Sequence, residues 1–104
     1  MRRTLLALLA TVAVSLAGDH DVLRIGPVLV ADSKEDCQKL QEIAEDHDTR
    51  AGMEMIRNGT ALYLPEGTVV IVEDIGWEYD RIRLKGSSKT LWISNHALAQ
   101  FYNQ

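Results

Sequence analysis

Residues 60–98 decide the fold, and they read TALYLPEGTVVIVEDIGWEYDRIRLKGSSKTLWISNHAL. Short runs of β-branched, aromatic and aliphatic residues alternate in this stretch with turn sequences, which are Pro-Glu-Gly at 65–67, Asp-Ile-Gly at 74–76 and Gly-Ser-Ser at 86–88. Such alternation is typical of a small all-β barrel. We therefore predict a β-barrel over residues 60–104, in which a short helical turn begins near Ser94 and residues 99–102 form a closing strand.

The segment before the strands predicts a helical region over residues 32–58. Asp32 or Ser33 is the candidate N-cap of its first helix, because each is followed three positions later by an acidic residue. Apolar residues then recur at steps of three and four, which is the spacing of one helix face. These residues are Cys37, Leu40, Ile43 and Ala44. The first helix is therefore expected to pack against the strands with this face.

A second short helix is predicted over residues 49–57, with Asp48 as its cap. We expect it to bury Met53 or Ile56. Residues 18–31 form an N-terminal lead-in in this interpretation, and the apolar run at 27–31 is either a first strand or a buried approach to the helices. The expected fold class is α+β, with one or two N-terminal helices packed on a small barrel.

The first 17 residues have the features of a secretory signal peptide. Arg2 and Arg3 form a basic start, an apolar run follows from Leu5, and Ser15 and Ala17 place small residues at the two cleavage-site positions. The apolar run is shorter than the ~20 residues needed to cross a bilayer. Cleavage after Ala17 is therefore favoured over an uncleaved anchor. The sequence predicts a secreted or periplasmic protein that is not an integral membrane protein once processed.

The charge balance argues against nucleic acid as a partner. The chain contains 11 basic and 15 acidic residues and has a formal net charge of −4, and loss of Arg2 and Arg3 with the signal makes it more negative. A protein that binds phosphate backbones needs a basic surface. No nucleic-acid partner is expected, and no cofactor is predicted.

Cys37 is the only cysteine in the sequence, so no disulfide can form within the chain. We interpret it as a buried, inert thiol on the apolar face of the first helix. The alternative is a thiol-dependent enzyme that uses Cys37 with His47. A separation of ten residues on or near one helix does not place the two side chains on the same face.

A further alternative is metal capture at the processed N-terminus. Cleavage after Ala17 would leave Gly18, Asp19 and His20 as the first three residues. The terminal amine, two deprotonated amides and the His20 imidazole would then form a square-planar set of nitrogens for Cu(II) or Ni(II). His20 is thus the one candidate metal ligand.

The strand sequences resemble the Src-homology-3-like (SH3-like) barrel, particularly in the form found in bacterial exported proteins. The resemblance rests on Leu-Pro-Glu-Gly-Thr at 64–68, Arg-Ile-Arg-Leu at 81–84 and Trp-Ile-Ser-Asn at 92–95. The order of signal peptide, helix pair and strands is similar to that of small secreted proteins of proteobacteria and their phages. The resemblance implies a module that binds an envelope protein or a peptidoglycan-derived ligand.

The resemblance also implies an aromatic surface to which Tyr63, Trp77 and Tyr79 would contribute. His96 stands where the groove of polyproline-binding members often has a tyrosine, so the sequence departs from that pattern. Trp77 follows a glycine in a loop and is the side chain that we most expect to be exposed and used, because aromatic anchors dominate the energetics of interfaces. Its alternative role is to fold over the end of the barrel.

Arg81 and Arg83 point outward on one predicted strand, where they would receive a carboxylate-bearing ligand or pair with acidic residues across the strands. Together with the aromatic residues they complete the candidate binding set. The sequence therefore predicts an exported, non-catalytic binding module that acts on a protein or cell-wall component of the bacterial envelope.

Overall fold

The computed structural model describes residues 21–102, which form an α+β fold. In chain order the elements are β1 (Asp21–Ile25), β2 (Val28–Ala31), α1 (Lys34–Glu45), α2 (Thr49–Arg57), β3 (Ala61–Leu64), β4 (Thr68–Ile75), β5 (Tyr79–Leu84), β6 (Leu91–Ser94) and α3 (Asn95–Ala99). The strands form one six-stranded sheet with the order β1-β4-β5-β6-β2-β3. Every neighbouring pair is antiparallel.

The sheet begins earlier in the chain than the sequence indicated. β1 lies in the predicted lead-in, and β2 confirms the strand interpretation of the apolar run that follows it. Within β1, Leu23 and Ile25 turn inward while Val22 and Arg24 remain exposed. The helices α1 and α2 therefore lie between the second and third strands, rather than before the sheet as predicted.

The sheet is strongly curved. β1 and β2 stand at the first and fifth positions of the strand order, which would separate them by about 19 Å in a flat sheet. Only Gly26 and Pro27 connect them, and the chain from Ile25 to Val28 spans at most ~11 Å. A Cβ at Gly26 would collide with backbone atoms of Leu64 and Pro65, so the connection packs directly against the end of β3. Pairing between β1 and β3, which would close a barrel, is not among the strand pairs of residues 21–102.

The predicted closing strand at residues 99–102 is wrong. α3 occupies the start of this segment, and the Phe101 N–H donates to the Leu98 carbonyl at 3.0 Å, which continues the helical turn. The Phe101 side chain is buried in the core of the sheet. The short helix itself was predicted, and its expected cap is confirmed, because the Ser94 hydroxyl accepts an N–H bond at 3.1 Å from the Ala97 backbone.

Two hydrophobic clusters hold the fold together. The larger, here the sheet core, takes side chains from all six strands and from α3 and its C-terminal turn. The smaller, here the helix layer, joins Leu40 of α1 and Met55 of α2 to Ala61 of β3, with Leu29 and Ile43 packed against them. Successive residues of a strand point to opposite faces. In β2, Val30 belongs to the sheet core, so α1 and α2 cover the opposite face.

Of the two candidate caps for α1, Ser33 is the one used, and Asp48 caps α2 as predicted. The Ser33 hydroxyl accepts the Asp36 N–H at 3.0 Å at the start of α1, and the Asp48 carboxylate accepts the Ala51 N–H at 3.2 Å at the start of α2. Of the predicted apolar face of α1, Cys37 and Leu40 are buried, Ile43 is half-buried and Ala44 is exposed.

The prediction that α2 buries Met53 or Ile56 is wrong. The helix instead buries Gly52 and Met55. Met55 packs with Ala61 of β3, and a Cβ at Gly52 would lie 3.7 Å from the Ile43 side chain of α1. Met53 and Ile56 are each one position further along the helix and therefore lie about 100° away from that face. Their side chains are 54% and 39% exposed.

Candidate functional site

A groove of about 900 Å³ lies beside the helix layer; we call it the helix groove. Its walls come from β2, α1, α2, β3 and the start of α3. Most of its lining is apolar, and the apolar side chains are Val28, Leu29, Leu40, Ile43, Ala44, Met53, Ile56, Tyr63 and Ala97. A volume of this size is typical of sites that bind a small molecule or a few side chains of a partner.

Several apolar side chains of the helix groove are open to solvent. Met53, Ile56 and Tyr63 are among the most exposed large apolar residues of the described chain, and all three line the groove. Such a concentration of accessible apolar surface in a small domain makes the helix groove a candidate interaction site. Sequence reasoning missed this site because it assigned Met53 or Ile56 to the core.

The charged lining of the helix groove is acidic. Glu45 and Asp48 line it near the end of α1, and no lysine or arginine is among its lining residues in the described chain. Glu42 and Asp46 lie close by in sequence and are exposed. The same acidic residues influence Tyr79. Burial and the neighbouring Glu78 carboxylate raise the pKa of its phenol, and the carboxylates of Glu42 and Glu45 raise it further.

Cys37 also lines the helix groove, but its side chain is only 4% exposed. Burial raises the pKa of the thiol from 9.0 to about 11, and the negative charge of Asp80 contributes to the shift. His47 and His96 line the same groove. Within residues 21–102, neither is hydrogen-bonded to Cys37, and no group of three ligand side chains is placed to hold a metal ion. The interpretation of Cys37 as a buried thiol is confirmed.

Trp77 occupies a different part of the molecule, in the loop formed by residues 76–78 between β4 and β5, here the Trp77 loop. Its side chain is 96% exposed. A Cβ at Gly76 would collide with the carbonyl oxygen of Tyr79, so the backbone is tightly folded beneath the exposed indole. The loop therefore presents the whole ring to solvent.

A buried carboxylate fixes the Trp77 loop. Asp80 is 2% exposed and accepts a bond from the Gly76 N–H at 3.0 Å. The same oxygen accepts a bond from the side-chain amide of Asn95, whose backbone N–H donates to the Glu78 carbonyl at 2.9 Å. Buried carboxylates persist in proteins when they are hydrogen-bonded in this way. The loop is thereby tied to the start of α3.

Sequence reasoning missed Asp80, although a signal was present. In the alternation of β5 it falls on the same face as Ile82, two residues later, and that face is buried. A carboxylate at an inward position next to a turn indicates a side chain that bonds backbone or side-chain donors from the neighbouring loops.

The predicted aromatic surface is divided by the fold. Tyr63 lines the helix groove, where it is 57% exposed. Trp77 stands outside that groove, on the hairpin between β4 and β5. Tyr79 is half-buried at the start of β5, opposite Ser94 of β6.

The two arginines of the predicted binding set are paired across strands. The Arg83 Nε lies 2.9 Å from a Glu73 carboxylate oxygen, and its Nη1 donates to the Ser87 carbonyl at 3.1 Å. Arg81 is held more loosely, since its Nη2 lies 3.8 Å from an Asp74 carboxylate oxygen. The prediction that acidic residues pair with these arginines across the strands is confirmed for both arginines.

The candidate metal ligand His20 and the predicted signal peptide lie outside the described residues. No helix among residues 21–102 combines the length and the apolar character that crossing a membrane requires.

The chain matches no family model, no curated protein and no solved structure. At the level the structure shows, the resemblance to an SH3-like domain extends to a small α+β domain with a six-stranded antiparallel sheet.

Proposed function

We propose that the protein is an exported, non-catalytic binding module that captures a protein or cell-wall component of the bacterial envelope through Trp77. The observation that carries the proposal is a tryptophan with 96% of its side chain exposed. An indole in this position contributes almost nothing to the folded core. Burying a large aromatic side chain at an interface removes roughly 150–250 Å² from water, which is about 4–6 kcal/mol of transfer free energy.

The construction of the Trp77 loop supports the same proposal. Asp80 holds Gly76 on one side of the indole, and Asn95 holds Glu78 on the other. A loop that is already ordered loses little conformational entropy when it binds, so more of the interaction free energy appears as affinity. Rigid presentation of an aromatic anchor is the arrangement found at the energetic centre of many interfaces.

The properties of Cys37 support binding over thiol chemistry. A nucleophilic cysteine needs a lowered pKa and access to its substrate. Here burial raises the pKa of the thiol to about 11, and its side chain is only 4% exposed. These features are those of a core residue.

Export is the part of the proposal that rests on sequence. The basic start, apolar run and small residues of the first 17 positions are the parts of a cleavable signal. A single cysteine allows no disulfide within the chain, and its thiol is buried, so the fold does not depend on the redox state of the compartment. The ligand would accordingly be an envelope protein or a peptidoglycan-derived fragment.

The test is capture from an envelope extract by the full chain, expressed with its own N-terminus and recovered after export. Species retained by the wild type are identified by mass spectrometry, purified and titrated. Trp77→Ala should weaken binding of the purified partner at least tenfold while leaving the thermal midpoint unchanged. Glu66→Ala, which alters an exposed side chain in the turn between β3 and β4, is the matched control and should bind as wild type does. Equal binding by wild type and Trp77→Ala would refute the proposal.

A further inference from the structure

We propose that the helix groove is a second binding site, independent of Trp77, which takes a peptide segment that carries an aliphatic or aromatic side chain next to a lysine or arginine. This goes beyond the function proposed above, because neither Trp77 nor any other residue of its loop lines the groove. The argument combines the apolar lining, the sign of the charges around it and their position on α1.

The apolar part of the groove is suited to side chains of a partner. Leu29, Leu40 and Ile43 are shared between the groove and the helix layer, so the inner wall is formed by packed residues. Met53 and Ile56 are exposed at the outer wall. Methionine is unbranched and polarizable, and it adapts its shape to different apolar ligands. A firm inner wall with an adaptable outer wall accommodates an aliphatic or aromatic side chain.

The acidic charge of the groove favours a basic residue next to the partner's apolar side chain. Two carboxylates, those of Glu45 and Asp48, belong to the lining, and the described lining contains neither a lysine nor an arginine. Between residues 42 and 48 the sequence has four acidic residues, one histidine and neither a lysine nor an arginine. Complementary charge sets partner choice and orientation at interfaces. A segment with lysine or arginine beside its apolar side chain matches both parts of the groove, whereas an acidic segment is repelled.

The position of these acids on α1 strengthens the argument. A helix carries a partial negative charge at its C-terminus, where cations are favourable and anions unfavourable. The last turn of α1 has no basic residue, and Glu42, Glu45 and Asp46 occupy or adjoin it. A bound lysine or arginine would therefore meet the carboxylates and the negative end of the helix together. The ligand supplies the cation that this helix end lacks.

The experiment measures fluorescence anisotropy of labelled synthetic peptides with the full chain. The probe is a ten-residue peptide of alternating leucine and lysine, compared with peptides in which every lysine is replaced by glutamate or every leucine by serine. We expect the leucine–lysine peptide to bind at least tenfold more tightly than either comparison peptide. Equal binding of the serine–lysine peptide would show attraction to net charge alone, and equal binding of the leucine–glutamate peptide would show that the acids play no part. Either result, or no binding, would overturn the proposal.

Two sets of variants locate the site. Glu45→Gln combined with Asp48→Asn removes both lining charges and keeps a side chain that caps α2, since asparagine is a good N-cap. This variant should weaken binding at least tenfold and reduce its dependence on salt. Met53→Ser should also weaken binding, and its exposure keeps the fold intact. Glu66→Gln removes an equivalent charge from an exposed residue that does not line the groove and should have no effect.

Two further measurements separate this proposal from other outcomes. Trp77→Ala should bind the leucine–lysine peptide as wild type does, so failure of the Trp77 proposal and failure of this one are distinguishable. Sedimentation of the chain alone tests whether a second copy occupies the groove. Self-association that Met53→Ser abolishes would assign the groove to a dimer interface and overturn the peptide proposal.

Discussion

The sheet core and the helix layer differ in how completely they are packed. Within residues 21–102, ten buried residues form the sheet core and three form the core of the helix layer. Each fully buried aliphatic or aromatic side chain stabilises a domain by roughly 1.5–3 kcal/mol. The sheet core therefore accounts for most of the hydrophobic stabilisation. The helix layer leaves Met53, Ile56 and Tyr63 exposed around a groove. In this molecule most of the hydrophobic stabilisation comes from the sheet core, whereas the accessible apolar groove adjoins the helix layer.

The largest expected effect tests this division directly. Ile82 is fully buried in the sheet core, and Ile82→Ala should lower the free energy of unfolding by about 2–5 kcal/mol because it leaves a cavity. Met53→Ala in the helix layer should lower it by less than about 0.5 kcal/mol, as is usual for exposed positions. Urea denaturation of both variants provides the comparison. Equal losses would mean that the helix layer is packed as tightly as the sheet core.

The next effect concerns the buried polar link between the sheet and the Trp77 loop. Asp80→Ala leaves the Gly76 N–H and the Asn95 amide without their acceptor, and unsatisfied buried donors are costly. We expect a loss of about 3 kcal/mol in the free energy of unfolding and faster hydrogen exchange at the Gly76 amide. Asn95→Ala should cost less, because the Gly76 bond remains. Unchanged exchange at Gly76 in Asp80→Ala would show that the loop is held by other contacts.

A third effect is a pH dependence that comes from Cys37, where α1 meets the sheet. The pKa of the thiol is raised from 9.0 to about 11 in the folded protein, so the unfolded chain loses this proton first as the pH rises. The stabilisation is complete below about pH 9 and is lost between pH 9 and 11. At pH 10.5 the loss relative to pH 8 should be about 2 kcal/mol.

The control for this prediction is Cys37→Ala, which removes the thiol and retains every other titrating group. Both proteins contain Tyr102, whose pKa is raised to about 12 by burial and by its bond to Asp21, so that contribution cancels in the comparison. Chemical denaturation at pH 8 and 10.5 gives the two differences. Identical alkaline losses in wild type and Cys37→Ala would contradict the assignment to the thiol.

Features with local causes were predictable from the sequence. The cap of α1 was narrowed to Asp32 or Ser33, Asp48 was predicted as the cap of α2, and a helical turn was expected near Ser94. These signals are local because each cap bonds a backbone N–H only three residues away. The strands after residue 60 were marked by their turn residues. β1 was missed because its sequence, DVLRI, does not alternate strictly: the apolar Val22 directly precedes the apolar Leu23, which breaks the period-two pattern of a strand.

Features with non-local causes were not predictable. Either face of α2 offers apolar residues, and the docking of Gly52 and Met55 against the sheet and α1 decides that Met53 and Ile56 turn outward. The helix groove is formed by elements that are distant in sequence, so no single motif marks it. For the same reason the sequence suggested one aromatic surface, whereas the fold places Tyr63 in the groove and Trp77 on the hairpin.

The smallest expected effect on stability is at Trp77. It tests whether the indole is exposed for binding or contributes to the packing of the fold. Because 96% of its side chain is exposed, Trp77→Ala should change the free energy of unfolding by no more than about 0.5 kcal/mol. Trp92 provides the matched comparison. It is the other tryptophan, half-buried in β6 and paired with Ala31 and Arg81, and Trp92→Ala should be clearly more destabilising. Thermal and urea unfolding of both variants measure the difference. A Trp77→Ala protein as unstable as Trp92→Ala would place the indole among the packing residues, and the binding role assigned to it would lose its physical basis.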